Sequence, residues 1–399
     1  MRSAASDGPP LDPALLLTDP HAAYDRLRGA GPVHRIPGPD GSPAWLVTRH
    51  DDVRRLLADP RLSLDKRNSG AGNYRGFALP PALDANLLNM DPPDHTRLRR
   101  LVTKAFTARR TEELRGPVQR IADELLDAIE PLGRADLISS YAAPLPISVI
   151  CELLGIPPGD RADFRAWSDA LITPDPARPE GMKQAIGEMV RFVGRLIARK
   201  RAHPADDLIS GLIAARDGGD RLSEDELTSL VFLILFAGYE NTVHLIGNAT
   251  LALLEHPEQL RALRADPSRL PAAVEELVRF DGPAALAIRR FPVEDVEIGG
   301  TAIPAGETVL LSLASAGRDP RRFADPHRLD LSRAEVAHLA FGHGIHHCLG
   351  APLARLEAGV ALGTLLRRLP GLALGVPREE LAWRPTIRAR GLVSLPVTY

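Results

Sequence analysis

The stretch that begins at Ser223 constrains this chain more than any other. Glu226 follows three positions later, the capping-box signature of a helix start, and the next stop signal is His256-Pro257, because the residue before a proline is pushed out of helical backbone. The spacing predicts one helix over 223–256, roughly 50 Å long at 1.5 Å per residue. Its first half is nearly all apolar, with "LVFLILFAG" at 230–238, so it offers no face to water and has to be wrapped by other elements. That run is far short of the ~20 apolar residues that span a bilayer, so the wrapping is expected to be protein and no membrane association is expected. A chain carrying such a rod must build a large helical body around it. One interruption needs a reason: "AGYENT" at 237–242 puts polar groups into a buried helix, which is costly unless they serve a purpose there.

The rest of the chain supports that body. With 44% hydrophobic residues over 399 positions, a sizeable core is affordable. Arg110–Ile129 and Met189–Ala202 carry apolar residues at helical spacing, and "GIPPGD" at 155–160 and "HPADD" at 203–207 punctuate them. After Pro292 the texture changes. "DVEIGGTAIPAGETVLLSLA" at 295–314 alternates around Gly-Gly and Pro-Ala-Gly turns, which predicts strands, as do "PAWLVTR" at 43–49 and "GLVSLPVTY" at 391–399. The expected fold class is mainly α with a smaller β-rich subdomain built from both ends of the sequence. It forms a single domain over 1–399, with residues 1–15 a loose N-terminus. A formal net charge of -2 gives no basic field for nucleic acid. The N-terminus has no apolar signal-peptide core, so a cytoplasmic protein is expected.

"FGHGIHHCLG" at 341–350 packs three histidines, one cysteine and three glycines into ten positions. A structural zinc site wants four convergent ligands, usually with several cysteines; His346, His347 and Cys348 are consecutive and no second cysteine is near. A single thiolate is the better reading. Gly342, Gly344 and Gly350 allow tight turns and close approach to a flat cofactor. "APLARLEAGVALGTLLRRL" at 351–369 predicts a helix with Pro352 in its first turn, so Cys348 lies by a helix N-terminus, where backbone N–H groups stabilise a thiolate. The other cysteine, Cys151, sits in "PISVICELLGI" and reads as an inert core residue.

The segment resembles the cysteine-ligand loop of the cytochrome P-450 family, Phe-Gly-x-Gly-x-His-x-Cys-x-Gly, at Phe341, Gly342, Gly344, His346, Cys348 and Gly350. The resemblance runs from about residue 20 to the C-terminus and is that of soluble bacterial members. It implies haem b, with Cys348 as axial ligand, lying between the long oxygen-binding helix and the cysteine-loop helix. It makes His343 and His347 ordinary loop residues. "EELVR" at 275–279 is similar to the family's ExxR helix, with Glu276 and Arg279 at i, i+3. "DPHRLD" at 325–330 is similar to the segment supplying the third member of that ion network, Arg328. His95 and Arg99 in "MDPPDHTRLRRLVTKAF", Arg290, and His346 match the groups that hold the haem propionates, which need cations or donors inside an apolar pocket.

Ala237, Gly238 and Glu240 fall where the family has small-Gly-x-acid: the small residues leave room for dioxygen (O2) and the carboxylate relays protons. The next position is usually threonine; here it is Asn241, followed by Thr242. An amide donates but does not pass a proton on as a hydroxyl does. Asn241 would then order a water, or a substrate hydroxyl would complete the relay; alternatively Thr242 serves through a local helix distortion, or less proton delivery is needed. Gly317 replaces a frequent asparagine. The loops 67–89 and 172–183, with Ala284, Ala285, Ala287 and Ile288, are the expected pocket walls. The resemblance implies a monooxygenase that hydroxylates or epoxidises a bulky apolar small molecule, a polyketide or macrolactone first, a steroid, terpenoid or cyclic peptide otherwise. It implies a monomer fed by a separate ferredoxin and ferredoxin reductase, with Arg97, Arg99, Arg100, Lys104, Arg109 and Arg110 offering a docking face. Oxidative coupling or desaturation on the same fold, and a haem sensor without turnover, are the rival functions.

Overall fold

The structure, a computed structural model, describes residues 14–75, 81–172, 179–217, 222–334 and 336–399. Residues 1–13 of the N-terminus expected to be loose over 1–15, and parts of the two loops expected to wall the pocket, lie outside these; Leu15 begins the helix Leu15–Thr18. The chain divides into two compact units. The first holds the described residues of 1–77 with Glu276–Cys348 and Trp383–Arg390; the second holds those of 78–275 with Leu349–Ala382 and Gly391–Tyr399.

The second unit is helical and is organised by the long helix, Glu224–Glu255. Both halves of the capping box are made: Ser223 Oγ accepts from Glu226 N at 3.1 Å, and Glu226 Oε2 accepts from Ser223 N at 2.7 Å. Glu224, Asp225 and Glu226 in the first turn complement the helix dipole. His256 closes the other end by donating its N–H to Leu253 O, and Pro257 starts the next helix. By length and composition this helix could cross a bilayer, yet 61% of its most apolar window is buried inside the protein. It packs against the helices Pro144–Leu154, Pro179–Ala202 and Ala351–Arg368. Gly247 permits one close approach, since a Cβ there would lie 2.6 Å from Ile138 Cδ1. The expected helix over 110–129 is two pieces, Ala108–Glu113 and Arg115–Ile129.

The first unit carries the sheet foretold from distant parts of the sequence. Val33–Pro37 and Pro43–Val47 form an antiparallel hairpin, and the latter pairs in parallel with Thr308–Leu311, Ala44 opposite Thr308 and Val47 opposite Leu311. Val296–Ile298 and Thr301–Ile303 make the second hairpin, with Gly299 and Gly300 at φ +58° and +83°, the left-handed pair that a type I′ two-residue turn requires. Val33, Val47, Leu56, Ile298, Ile303, Val309 and Leu311 form its apolar core. The closing segment differs from expectation: only Pro396–Thr398 is a strand, and it pairs with Arg134–Asp136 and Ala373–Leu374 in the second unit. Asp136 Oδ1 fixes that register by accepting from Leu395 N at 2.7 Å.

Candidate active site

Cys348 ends a loop whose shape comes from its glycines. Gly342 and Gly344 sit at φ +74° and +72°, where a side chain is strained. Gly342 N donates to Leu339 O at 2.7 Å, His347 N to Gly344 O at 3.0 Å, and Cys348 N to Phe341 O at 2.8 Å, closing the loop onto itself. A Cβ on Gly344 would come within 3.2 Å of Ala58 Cα, so the loop seats directly against the end of the helix His50–Leu57. Gly350 differs. Its φ is -81° and a Cβ would meet no protein atom within 4 Å, so the tight-turn argument holds for only two of the three glycines. Gly350 caps the helix Ala351–Arg368, which has Pro352 in its first turn, as expected.

Cys348 is exposed while Cys151 is buried, with burial pushing the Cys151 thiol up to about 12, which keeps it protonated and inert. Among the described residues no group of three or more His, Cys, Asp and Glu could hold a metal ion. The single exposed thiol of Cys348 fits a cofactor that asks for one thiolate and supplies its own remaining ligands, as haem does. Phe341 and His346 are half-buried, and Phe341 lies against His338 with ring centroids 5.7 Å apart. Arg290 is buried at 4% exposure beside the sheet, its backbone paired with Val309 and its Nη1 donating to Leu62 O at 3.4 Å. In the second unit, His95 is buried at 1% exposure on the helix Asp94–Ala105, and Arg99, one turn on, is half-buried.

The long helix presents two sides at its polar interruption. Ala237 and Asn241, one turn apart, are exposed, and Asn241 Nδ2 lies 3.4 Å from Ala237 O. Gly238 faces Ile150, a Cβ there lying 3.4 Å from Ile150 Cδ1, and the buried Thr242 hydroxyl, one turn on, donates to Gly238 O at 2.9 Å. The helix runs through 237–242 as regular α-helix, without the distortion that would swing Thr242 round. Glu240 is mostly buried, its Oε1 3.6 Å from His244 Nε2.

The ion network behind the cysteine loop corrects one expectation. Glu276 and Arg279 pair as foreseen, at 2.6 and 2.8 Å, but the third member is Arg333, whose Nε reaches both Glu276 oxygens at 3.2 and 3.3 Å. Arg328 is exposed and contributes its carbonyl, which accepts from Arg279 Nη2 and Arg333 Nη2. Its side chain points away because residues 325–330 pass the network as an irregular turn. Helical spacing could not have found Arg333, since no helix connects it to Glu276. Gly317 acquires a reason here: its carbonyl accepts from Arg279 Nη1 at 2.7 Å, and a Cβ would sit 2.9 Å from Arg279 O. Among the expected pocket walls, Ala284, Ala287 and Ile288 are half-buried, whereas Ala285 faces the interior. Asp281 and Arg390 tie this segment to Trp383–Arg390 at 2.8 Å, with Ala284 bridged to Ala389. Burial would push the Asp281 carboxyl up, but Arg390, His21 and Arg318 together hold it well below the usual carboxylate range.

Comparison with known proteins agrees with this architecture. Residues 180–370 match the family model described as cytochrome P450. The chain is 52% identical over 384 residues to the cytochrome P450 monooxygenase PikC of Streptomyces venezuelae, covering 96% of this chain and 91% of that one. It is 45% identical over 400 residues to the 6-deoxyerythronolide B hydroxylase of Saccharopolyspora erythraea, covering 98% of each. The solved structure of the bacillaene polyketide synthase cytochrome P450 PksS of Bacillus subtilis 168 superposes with a TM-score of 0.90 at 41% identity, covering 96% of this chain and 97% of that one. The chain belongs to the cytochrome P450 family. It is a haem b-dependent monooxygenase with the mainly α P450 fold, and as a bacterial enzyme of this type it acts on a small molecule with dioxygen and draws electrons from a separate redox partner.

Proposed function

We propose that Cys348 supplies the axial thiolate and that the substrate is a bulky, largely apolar polyketide or macrolactone-type secondary metabolite, hydroxylated or epoxidised at one carbon. One observation carries the first part: the exposed cysteine stands at the end of a loop locked by left-handed Gly342 and Gly344 and by the Cys348 N to Phe341 O bond at 2.8 Å. The relatives' names, a 6-deoxyerythronolide B hydroxylase and a mycinamicin IV hydroxylase/epoxidase among them, support the second. Haem b supplies the iron at which dioxygen is activated, with the thiolate's electron density favouring O–O cleavage.

The chain's own residues do the rest. The Arg290 guanidinium and the His95 ring, with Arg99 and His346, offer cations and donors to two propionates, which otherwise enter an apolar interior at high cost. Phe341 and Gly350, where a Cβ would meet no protein atom within 4 Å, would help hold the haem. Ala237 leaves room on the exposed side of the long helix, Glu240 takes up and releases protons at its carboxylate, and Asn241, on the same side as Ala237, orders a water or a substrate hydroxyl in that path. Thr242 keeps its hydroxyl on Gly238 O and stays out of the relay. The redox partner is a ferredoxin with its reductase, and the enzyme acts as a single-domain monomer in the cytoplasm. The expected docking face for an acidic partner is the cationic stretch Arg97, Arg99, Arg100, Lys104, Arg109 and Arg110, in which Arg97, Arg109 and Arg110 also pair with Glu226, Glu113 and Asp206.

The first test is an optical titration of the ferric protein with a macrolactone, alongside Cys348→Ser. The proposal expects a thiolate-haem Soret band in the parent protein, a shift to high spin on titration, and loss of that band in the variant. A thiolate band that persists in Cys348→Ser refutes the ligand assignment; a parent protein that never shifts with macrolactones refutes the substrate class.

A further inference from the structure

His244 is a buried imidazole that the reaction scheme above leaves unused. It is 1% exposed on the inner side of the long helix, and neither ring nitrogen has a hydrogen-bonding protein group. Buried polar groups are almost always satisfied, so such a ring calls for a reason. The room it occupies is specific to it: a Cβ on Gly391 would overlap the ring, 2.1 Å from Nδ1 and 2.3 Å from Cγ. Only glycine at 391 admits an imidazole at 244. The ring then lies one turn beyond Glu240, with Nε2 3.6 Å from Glu240 Oε1, and both side chains are shielded, at 1% and 14% exposure. An acid followed by a basic group at i+4 is the favourable orientation for such a pair, and shielding from water strengthens it.

We propose that His244 is the positioning residue for Glu240. Its Nε2–H, turned to the carboxylate, would draw it to one rotamer, so that the acid stays aimed while the substrate pocket is occupied. At 3.6 Å the two groups stand just beyond hydrogen-bond length, and it is the space left at Gly391 that admits the ring there. This inference rests on Glu240 serving as the proton carrier. His244 itself touches neither substrate nor cofactor.

The test pairs a spectroscopic reading with a functional one. In protein labelled with ¹⁵N-histidine, the His244 ring, assigned by its loss in His244→Gln, is expected to be protonated at Nε2 and to shift when Glu240→Gln is introduced. In turnover with the reducing partner, His244→Leu is expected to raise peroxide released per product formed by about tenfold, the lower end for loss of a group that orients a reacting one. His244→Gln, which keeps a donor, should restore most of the coupling, and Gly391→Ala, which expels the ring, should behave like His244→Leu. Normal haem content in all three separates positioning from failure to fold. A ring protonated only at Nδ1 and indifferent to Glu240→Gln, or a His244→Leu enzyme that couples like the parent, overturns the proposal. If Glu240→Gln itself couples normally, the proton-carrier reading fails, and the ring's response to Glu240→Gln still decides whether His244 holds that side chain.

Discussion

Replacing Arg333 by methionine should destabilise the first unit, whereas replacing Arg328 should not. Glu276 is 1% exposed; its Oε1 accepts from Arg279 Nη2 at 2.8 Å, Asp330 N at 3.0 Å and Arg333 Nε at 3.3 Å, and its Oε2 accepts from Arg279 Nε at 2.6 Å and Arg333 Nε at 3.2 Å. Removing Arg279 would strand a buried carboxylate, a loss of about 3–5 kcal/mol. Arg333 makes the longer contacts, yet it also donates to Ala324 O at 2.7 Å and to the carbonyls of Asp325 and Arg328 at 3.3 Å. With its side chain 12% exposed, its loss should cost about 1.5–3 kcal/mol, the range for hydrogen bonds to a charged group. Arg328→Met removes an exposed guanidinium and should stay within about 0.5 kcal/mol. At about 2–4 °C per kcal/mol for a unit of this size, Arg333→Met should lower the thermal midpoint of the protein by several degrees and Arg328→Met by about two or less. Thermal melts followed by circular dichroism, with haem retention read in parallel, decide it. An Arg328→Met midpoint as low as that of Arg333→Met would refute the assignment of the third network member.

Three further outcomes follow from the site. Gly344→Ala forces a side chain into left-handed backbone, about 1–2 kcal/mol, and presses its Cβ on Ala58, so the variant should lose haem on gel filtration faster than the parent. Asn241→Ala should raise the fraction of electrons lost to peroxide by about tenfold or more, the scale of a lost proton-delivery group, while Thr242→Val leaves it unchanged; equal leakage in the two would sink the relay assigned to residue 241. Burial pushes the Glu357 carboxyl well above its ordinary value of 4.5. The folded state then binds more protons than the unfolded one from that value up to the raised one, so stability falls as pH rises through this window, by about 1.4 kcal/mol per pH unit where the group is fully differential. Glu357→Gln should flatten that slope in urea melts between pH 5 and neutrality, and an unchanged slope would refute a neutral buried carboxyl.

Much of this architecture was legible because local signals and burial agreed. Ser223 with Glu226, Gly299-Gly300 and Gly342 with Gly344 each demand one backbone geometry, and each has it. What escaped depended on partners far along the chain. The break at Leu114 has a local mark, Gly116-Pro117, since proline is tolerated only in a helix's first turn, and the apolar period across 110–129 masked it. The closing segment alternates like a strand throughout, but only three residues find a neighbour to pair with. Arg333 and Arg328 are five residues apart on an irregular turn, where no periodicity tells which side chain faces Glu276. His244 is invisible as a site in sequence, since the glycine that makes room for it lies at 391.

The long helix shows why reading residue types in order is not enough. Its sequence names the polar residues at 240, 241 and 242, but each step turns the side chain by about 100°. Asn241 therefore shares the exposed side with Ala237, while Thr242 is buried on the side of Gly238 and closes its hydroxyl on Gly238 O. A threonine displaced by one residue is not a threonine in the same place. To bring Thr242 onto the side of Ala237 the helix would need a bulge of one extra residue, and Glu224–Glu255 is α-helical from end to end. The exposed side therefore has an amide where a hydroxyl is usual, and in the reading proposed above a proton path along it would run through a group that Asn241 orders, a water or the substrate's own hydroxyl. If the second is the donor, coupling will follow the substrate: removing that hydroxyl from an otherwise accepted molecule should release peroxide in the parent enzyme and much less in Asn241→Thr.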